Sequence, residues 1–485
     1  MNSSLKQQTV TGMAWSIFQR FGTMGISFIS NIVLARLLSP DDYGCIGMLM
    51  IFIALSNTFI DGGFGSALIQ KKRPTREDYS TIFYWNVALS VALYCVLFIG
   101  APLVADFYNI VLLSRVLRVE GIILIINAFG IVQANQLRKQ LQFKSIAKVT
   151  LIATVMSVVV AIVMAYMGYG IWSLVAQQIV SSLASTLLYW VYSPWRPSRV
   201  FSWASFKELF GFGSFMLLSS LINAFCNNLN GLLIGKFFNA SSMGYFTQSK
   251  KLEDVFSSSI EAVVGQVTYP VLVEVKDKKE KLKGMLAQFN SLLLYVVAPL
   301  MLLLNLLATP IVVLLLGEKW LPAVPYLEIL AFQGIAISIQ NINYNAVASI
   351  GRSKILFIST LVKRCFSVAA LVFGMRWGGV NGLLWGMVLS SYFICSYNLI
   401  MVHRYIGYRL WKQIIDLLPI ISINVITYAV VYVIRLYIPL NGGTLYGVMF
   451  VTYVCLYLLL SYVFKVRTLF LVCDIIKDIF KRFDK

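Results

Sequence analysis

The chain has 485 residues, of which 59% are hydrophobic and only 12% charged. A water-soluble domain carries about 25% charged residues, so this composition excludes a soluble enzyme and turns much of the surface toward lipid. Forty Lys and Arg against 20 Asp and Glu leave a net charge of +20. Without a module that combines stacking aromatics with cations, that excess reads as the loop bias of a membrane protein and not as nucleic-acid binding.

In chain order, the first apolar run covers 12–35 and contains Arg20. It is too long for a cleaved signal peptide and lacks a small-residue cleavage site, so it is predicted to be a first transmembrane helix behind a short tail, 1–11. Further spans are predicted at 43–69, 80–105, 112–137, 147–167 and 171–192. The stretch 193–208, with two prolines and several aromatics, reads as a cytoplasmic linker along the interface. Eight more spans follow, at 209–236, 246–272, 285–316, 323–350, 354–375, 379–402, 414–437 and 443–464. The eighth span overall is amphipathic. The ninth is long enough to tilt or bend, with Pro299 and Pro310 inside it. From Val466 the tail alternates apolar and basic residues at helical spacing, the pattern of an interfacial amphipathic helix.

Charge orients this set. Twenty-eight of the forty cations fall in segments on the side of the N-terminus, nine on the other side and three within spans. That bias predicts cytoplasmic N- and C-termini and an even number of crossings. The loops on the opposite side are too short to hold a catalytic domain. Seven scattered cysteines without CxxC spacing, and the single His403 in a basic loop, offer no metal site and no cofactor motif.

An internal repeat underlies the helix count. Ile32–Gly44 reads IVLARLLSPDDYG and Leu232–Gly244 reads LLIGKFFNASSMG. The strings share only the final glycine, yet apolar, cationic and polar positions run in parallel. The same offset pairs Asp61 with Glu261, and Gly170–Ser182 can be laid on Gly379–Ser391. Both halves start on the same side, which predicts parallel repeats related by an axis near the membrane normal. The expected divisions are an N-lobe at 1–192, the linker at 193–208, a C-lobe at 209–403, two extra helices at 404–465 and the tail at 466–485. Arg36 and Lys236 fall at the outer ends of their helices and read as interface anchors.

The strings LARLLSPDDYG (Leu34–Gly44) and DGGFGSALIQ (Asp61–Gln70) resemble the first hairpin of polysaccharide-export flippases. These form the Wzx-type branch of the multidrug/oligosaccharidyl-lipid/polysaccharide exporter superfamily. Helix count, repeat and loop charge extend the likeness over the whole chain. The resemblance implies an all-α polytopic membrane protein of about fourteen transmembrane helices, with two six-helix lobes, two C-terminal helices and a central cavity. It further implies a bacterial inner-membrane flippase, not an enzyme, that moves undecaprenyl-diphosphate-linked oligosaccharide units of O antigen, capsule or exopolysaccharide by alternating access. No ATP hydrolysis is implied, in keeping with the lack of a P-loop. Implied partners are the polyprenyl-diphosphate-linked oligosaccharide, membrane lipid, a coupling ion (H+ or Na+), and polysaccharide polymerase and chain-length proteins.

Such a substrate needs cations for its diphosphate and hydrogen-bonding groups for its sugars, and ionisable residues at membrane depth usually mark such a pathway. Arg20 is the leading diphosphate contact, because its planar fork suits phosphate oxygens; the competing reading is a snorkelling anchor. Its counterpart at the repeat offset is Ser220, which places anion binding mainly in the first lobe. Asp61 either pairs with Arg20, gates the inner mouth or takes a proton, or is a solvated helix end. On the eighth span, Lys250 and Lys251 are candidates to receive the diphosphate, and Glu253, Asp254 and Glu261 are gating or coupling carboxylates. An exposed helix start would explain the same residues. Asn223, Asn227 and Gln340 are candidate sugar contacts, as are other amides of the fourth, seventh and tenth spans; polar glue between helices competes. Lys363 and Arg364 lie mid-span and either meet lipid headgroups or pair between helices.

Two other classes fit less well. A drug or cation exporter of the same superfamily would want an acidic cavity. A polysaccharide polymerase or glycosyltransferase would want a large outer loop bearing catalytic groups.

Overall fold

The computed structural model describes residues 3–71, 74–350, 353–437, 442–471 and 474. The described chain is helical from end to end. Its helices are α1 (Ser3–Leu37), α2 (Pro40–Asp61), α3 (Phe64–Gln70), α4 (Arg76–Tyr108), α5 (Leu112–Glu120), α6 (Ile122–Lys139), α7 (Phe143–Tyr166) and α8 (Ile171–Tyr192). There follow α9 (Trp203–Phe237), α10 (Ala240–Glu274), α11 (Lys279–Leu306), α12 (Ala308–Leu315), a 3-10 turn (Glu318–Ala323), α13 (Val324–Ser349), α14 (Ser353–Ile406), α15 (Leu410–Tyr437) and α16 (Gly442–Val463).

Local chemistry explains where these helices start and stop. Ser39 caps α2: its hydroxyl accepts from the Asp42 N–H, and the Asp42 carboxylate accepts from the Ser39 N–H at 2.9 Å, with Pro40 at the first helical position. Thr75 and Asp78 repeat this reciprocal cap on α4. The predicted span 43–69 is not one helix. Gly62 and Gly63 take φ of 56° and 71°, a left-handed pair that ends α2 and restarts the chain as α3. The ninth span breaks at Leu307, three residues before Pro310. The Pro310 ring would clash with the carbonyl four residues back, at Leu306, so α11 ends there and α12 begins.

Twelve helices among the described residues are long and apolar enough to cross a membrane. One of them, Ile358–Ile406, holds non-helical dihedrals at Gly378 and Gly379, which divide it where the sequence predicts a turn between two spans. Helix α10 is outside the twelve; polar and charged residues run through it. The expected fourteen would need both parts of α14 and α10 to be counted. The amphipathic tail expected at 466–485 lies mostly outside the described residues.

Contacts group the chain into two compact units, residues 1–247 and 248–485. In the first, α1 packs on α7, α4 on α6, and α2 on α9. Its aromatic core joins Phe64, Tyr79, Phe83, Trp195 and Phe206. The stretch 193–208 belongs to that core: Arg196 donates to the carbonyls of Trp190, Ser193 and Trp195, and the Ser198 N–H donates to the Ser80 hydroxyl at 3.0 Å. Aromatic side chains bury about 150–250 Å² each, enough to hold this segment against the helices.

In the second unit α13 packs on α14 and α11. Asn290 and Asn343 exchange amide hydrogen bonds at 3.3 Å. Helices α15 and α16 attach to α11 through an apolar cluster. Tyrosine hydroxyls pin the attachment: Tyr457 donates to the Tyr295 carbonyl and Tyr428 to Asn305, both at 2.8 Å.

Candidate functional site

The repeat becomes a physical contact in the first unit. The starts of α2 and α10 cross so closely that a Cβ on Gly44 would strike the Ala240 carbonyl, and a Cβ on Gly244 would strike the Pro40 carbonyl. Beside them, the Ser241 hydroxyl donates to Asp41 at 2.6 Å. Lys236, one half of the cation pair seen in the repeat, donates to the Phe107 carbonyl at 2.6 Å and lies 4.4 Å from that ring's centroid. It therefore staples α9 to α4.

At the opposite end of α2, Asp61 is half-buried, and its carboxylate borders Gly65 beside the Asn135 amide. The cation whose charge acts on it is Arg138, which also donates to Asn135 at 3.3 Å. Arg20 stands exposed on α1, one residue from Gln19, which donates to Thr150 of α7 at 3.0 Å. A second network gathers where α3 ends and α4 begins. Lys71 bridges the buried Asp78 at 3.0 Å and Glu208 at 2.9 Å. Lys139 donates to the carbonyls of Leu68 and Lys71. Burial opposes the Lys71 ammonium, but the hydrogen bonds and charges of Glu208 and Asp78 outweigh it and hold its pKa above the ordinary lysine value.

Helix α10 carries the second charged group. Lys250 pairs with Glu253 and, at 3.1 Å, with Asp254. Glu253 is fully buried, and its Oε1 faces Gly334 without a hydrogen-bond partner. Lys251 is exposed on the same helix. The Glu261 side chain lies outside the described residues.

The predicted amides divide. Asn223 and Gln340 are half-buried and Asn227 is exposed. Other amides of the fourth and tenth spans are committed inside their own unit: Asn343 to Asn290, Gln136 to the Ser193 hydroxyl at 2.6 Å, and Asn127 to Asn57 at 3.3 Å. Polar glue between helices accounts for these. Lys363 is buried, with its ammonium 5.5 Å from the Tyr344 ring centroid and 5.4 Å from that of Tyr397. Among the described residues its counterpart is thus a pair of aromatic faces and not a carboxylate; Arg364 is half-buried beside it.

One residue escaped the sequence reading. Glu120 is buried at the break between α5 and α6 and accepts from Gln178 at 2.9 Å, while its other oxygen has no partner. It sits in an apolar run one residue before Gly121, a position that resembles a loop end. Among the described residues no group of His, Cys, Asp and Glu has the arrangement of a metal site.

Comparison with known proteins bears on these networks together. The family described as "Polysaccharide biosynthesis protein" matches residues 33–325. The teichuronic acid biosynthesis protein TuaB of Bacillus subtilis (strain 168) is 28% identical over 356 residues, 73% of this chain and 74% of that protein. The lipopolysaccharide biosynthesis protein WzxC of Escherichia coli (strain K12) is 24% identical over 418 residues, 85% of each chain. Among solved structures, the lipid II flippase MurJ in an inward closed conformation superposes with a TM-score of 0.76 at 15% identity, covering 93% of this chain and 98% of that one. An inward-facing multidrug transporter of the MATE family, in the MOP superfamily, gives 0.61 at 17% identity, covering 81% and 96%. At those identities the structures establish the fold alone.

Proposed function

Because the chain belongs to the polysaccharide biosynthesis protein family, we propose that it is a flippase for undecaprenyl-diphosphate-linked oligosaccharide units in a bacterial inner membrane. The observation that carries the reading is the crossing of repeat-related helix starts at Gly44 and Gly244. A contact built from equivalent parts of an internal repeat is the kind that alternating access makes and breaks. In this proposal the lobes 1–192 and 209–403 rock against each other, with both termini in the cytoplasm.

The substrate's diphosphate meets Arg20 from the inner leaflet, and Asn223, Asn227 and Gln340 contact sugar hydroxyls. The diphosphate then passes toward Lys250 and Lys251. Lys250 is engaged by Glu253 and Asp254, so an arriving diphosphate must displace a carboxylate. Protonation of Glu253 would release the lysine, and this exchange would couple proton binding to substrate transfer. Asp61 and Glu261 serve as further gating carboxylates in the same scheme, with H+ or Na+ as the driving ion. Lys363 braces α14 against its tyrosines and Arg364 contacts lipid, without a substrate role.

The test is genetic and biochemical. Deletion should trap lipid-linked units in the inner leaflet, and Arg20→Ala should reproduce part of that defect. Normal export by Arg20→Ala at wild-type abundance would remove Arg20 from the site, and normal export after deletion in a strain without paralogues would remove the function.

A further inference from the structure

A cavity of about 880 Å³ opens at one end of the second unit, between the first turns of α11, the turn into α15 and the segment that follows α16. Five cations line it: Lys283, Arg409, Lys412, Lys465 and Arg467. Two carboxylates oppose them, Glu280 and Asp416. Glu280 accepts from Lys283 at 2.7 Å and feels the charge of Lys412, while Asp416 accepts from the Tyr408 hydroxyl. Among the described residues Arg409, Lys465 and Arg467 enter no ion pair. The cavity therefore keeps an excess of positive charge that its own carboxylates do not cancel.

Its wall is held by defined caps. Helix α16 ends with the Val466 N–H bonded to the Ser461 carbonyl and the Lys465 N–H to that of Tyr462. This closure places Lys465 in the left-handed region, with φ of 48°, where glycine is the usual residue. A charged side chain thus occupies a position that backbone preference alone would give to glycine. Gln288 and Ser291 add neutral hydrogen-bonding groups to the lining. Ile415, Pro419 and Leu471 make an apolar wall, and Ile415 and the neighbouring Phe464 are exposed.

We propose that this cavity binds the headgroup of an anionic phospholipid, with its phosphate among Arg409, Lys412, Lys465 and Arg467 and its acyl chains along the apolar wall. A basic pocket between helix ends at the cytoplasmic face suits such a headgroup because its charge and the leaflet's surface potential act together. Only the choice of leaflet rests on the orientation proposed above; the binding does not, and the lining shares no residue with those assigned to the substrate.

The full chain, purified in detergent, is titrated with phosphatidylglycerol, phosphatidylcholine and inorganic phosphate. Bound lipid is read by native mass spectrometry and stabilisation by the melting temperature. Phosphatidylglycerol should bind and raise the melting temperature, with an affinity that falls as salt is added. Phosphatidylcholine should do neither. The triple variant R409Q/K412Q/R467Q should lose about tenfold or more in affinity for phosphatidylglycerol. The salt titration on the unaltered protein decides the question even where that variant is unstable. Equal binding of both lipids, or an affinity indifferent to salt, overturns the proposal. So does inorganic phosphate that reproduces the full shift, which would make this a site for a soluble anion. Binding that emerges only after removal of residues 472–485 also overturns it, because the tail would then be the occupant. No arm reads transport, so failure here leaves the flippase proposal standing.

Discussion

Gly44 and Gly244, two hundred residues apart, make the same contact: each bare Cα lies against the carbonyl of the residue four positions before the other. A methyl group at either place meets a backbone atom that cannot rotate away. Overpacking of this kind costs about 1–3 kcal/mol, roughly a fivefold or greater loss in the population that keeps the contact. Cysteines at Asp41 and Ser241, in a background without the native cysteines, should cross-link readily, since the native side chains are hydrogen-bonded. Gly244→Ala should cut that yield several-fold. An unchanged yield would mean that the contact is not set by the glycines.

The Lys71 bridge should matter for stability more through Asp78 than through Glu208. Asp78 is buried and also caps α4, whereas the Glu208 side chain is 62% exposed. Loss of a cap costs about 0.5–2 kcal/mol, and an exposed pair is worth about 0–1 kcal/mol. Asp78→Ala should therefore lower the unfolding midpoint in detergent clearly more than Glu208→Gln.

The raised pKa of Lys71 fixes the sign of its pH dependence. Stability from this ammonium is fully present below the unfolded lysine value of about 10.4 and is lost as pH rises through the higher folded value. The stability difference between the native chain and Lys71→Met should stay constant from neutral to mildly alkaline pH and shrink only above that value. A difference that disappeared on acidification would contradict the assignment.

Removing Lys250 leaves Glu253 buried beside Asp254 without its cation. Breaking one side of a buried pair costs about 3–5 kcal/mol, so Lys250→Ala should destabilise strongly and stop export. Adding Glu253→Gln should restore much of the stability but not the export. Recovery of both would assign the pair a structural role alone.

Lys363 faces two tyrosine rings. Contacts of this kind are worth about 0.5–2 kcal/mol each. Tyr397→Leu should lower the melting temperature, while Tyr397→Phe, which keeps the aromatic face, should not. If both variants lose stability equally, the hydroxyl and not the ring is the working part.

Orientation can be read directly. With the N-terminus in the cytoplasm, a cysteine at Asn109 should react with a membrane-impermeant maleimide in intact cells, and one at Asp277 only after permeabilisation. The reverse pattern would invert the proposed topology.

Much of this molecule could be read without its structure, because the deciding interactions are local. Twenty-residue apolar runs must be helical to satisfy their backbone in lipid. Ser39-Pro40-Asp41-Asp42 spells a helix start, and Gly378-Gly379 a break, whatever surrounds them. The Gly62–Gly63 break was missed because apolar residues continue on both sides of it. The family motif was equally legible, as a string of residue types at fixed spacing.

Partnership was not. Asp61 lies in the field of Arg138, Lys363 meets two tyrosines, and Lys71 joins carboxylates that stand seven and 137 positions away. Charge attraction has no register along a chain; only packing decides which cation a carboxylate finds. The amides show the same division: composition marked Asn343 and Gln136 as polar residues in apolar helices, and helix packing alone committed them to neighbours. The repeat joins both levels. Sequence determined that the first hairpins of the two halves match at an offset of two hundred residues. Tertiary structure decided that the matching glycines touch, because two helix starts can cross at that distance only where neither carries a side chain.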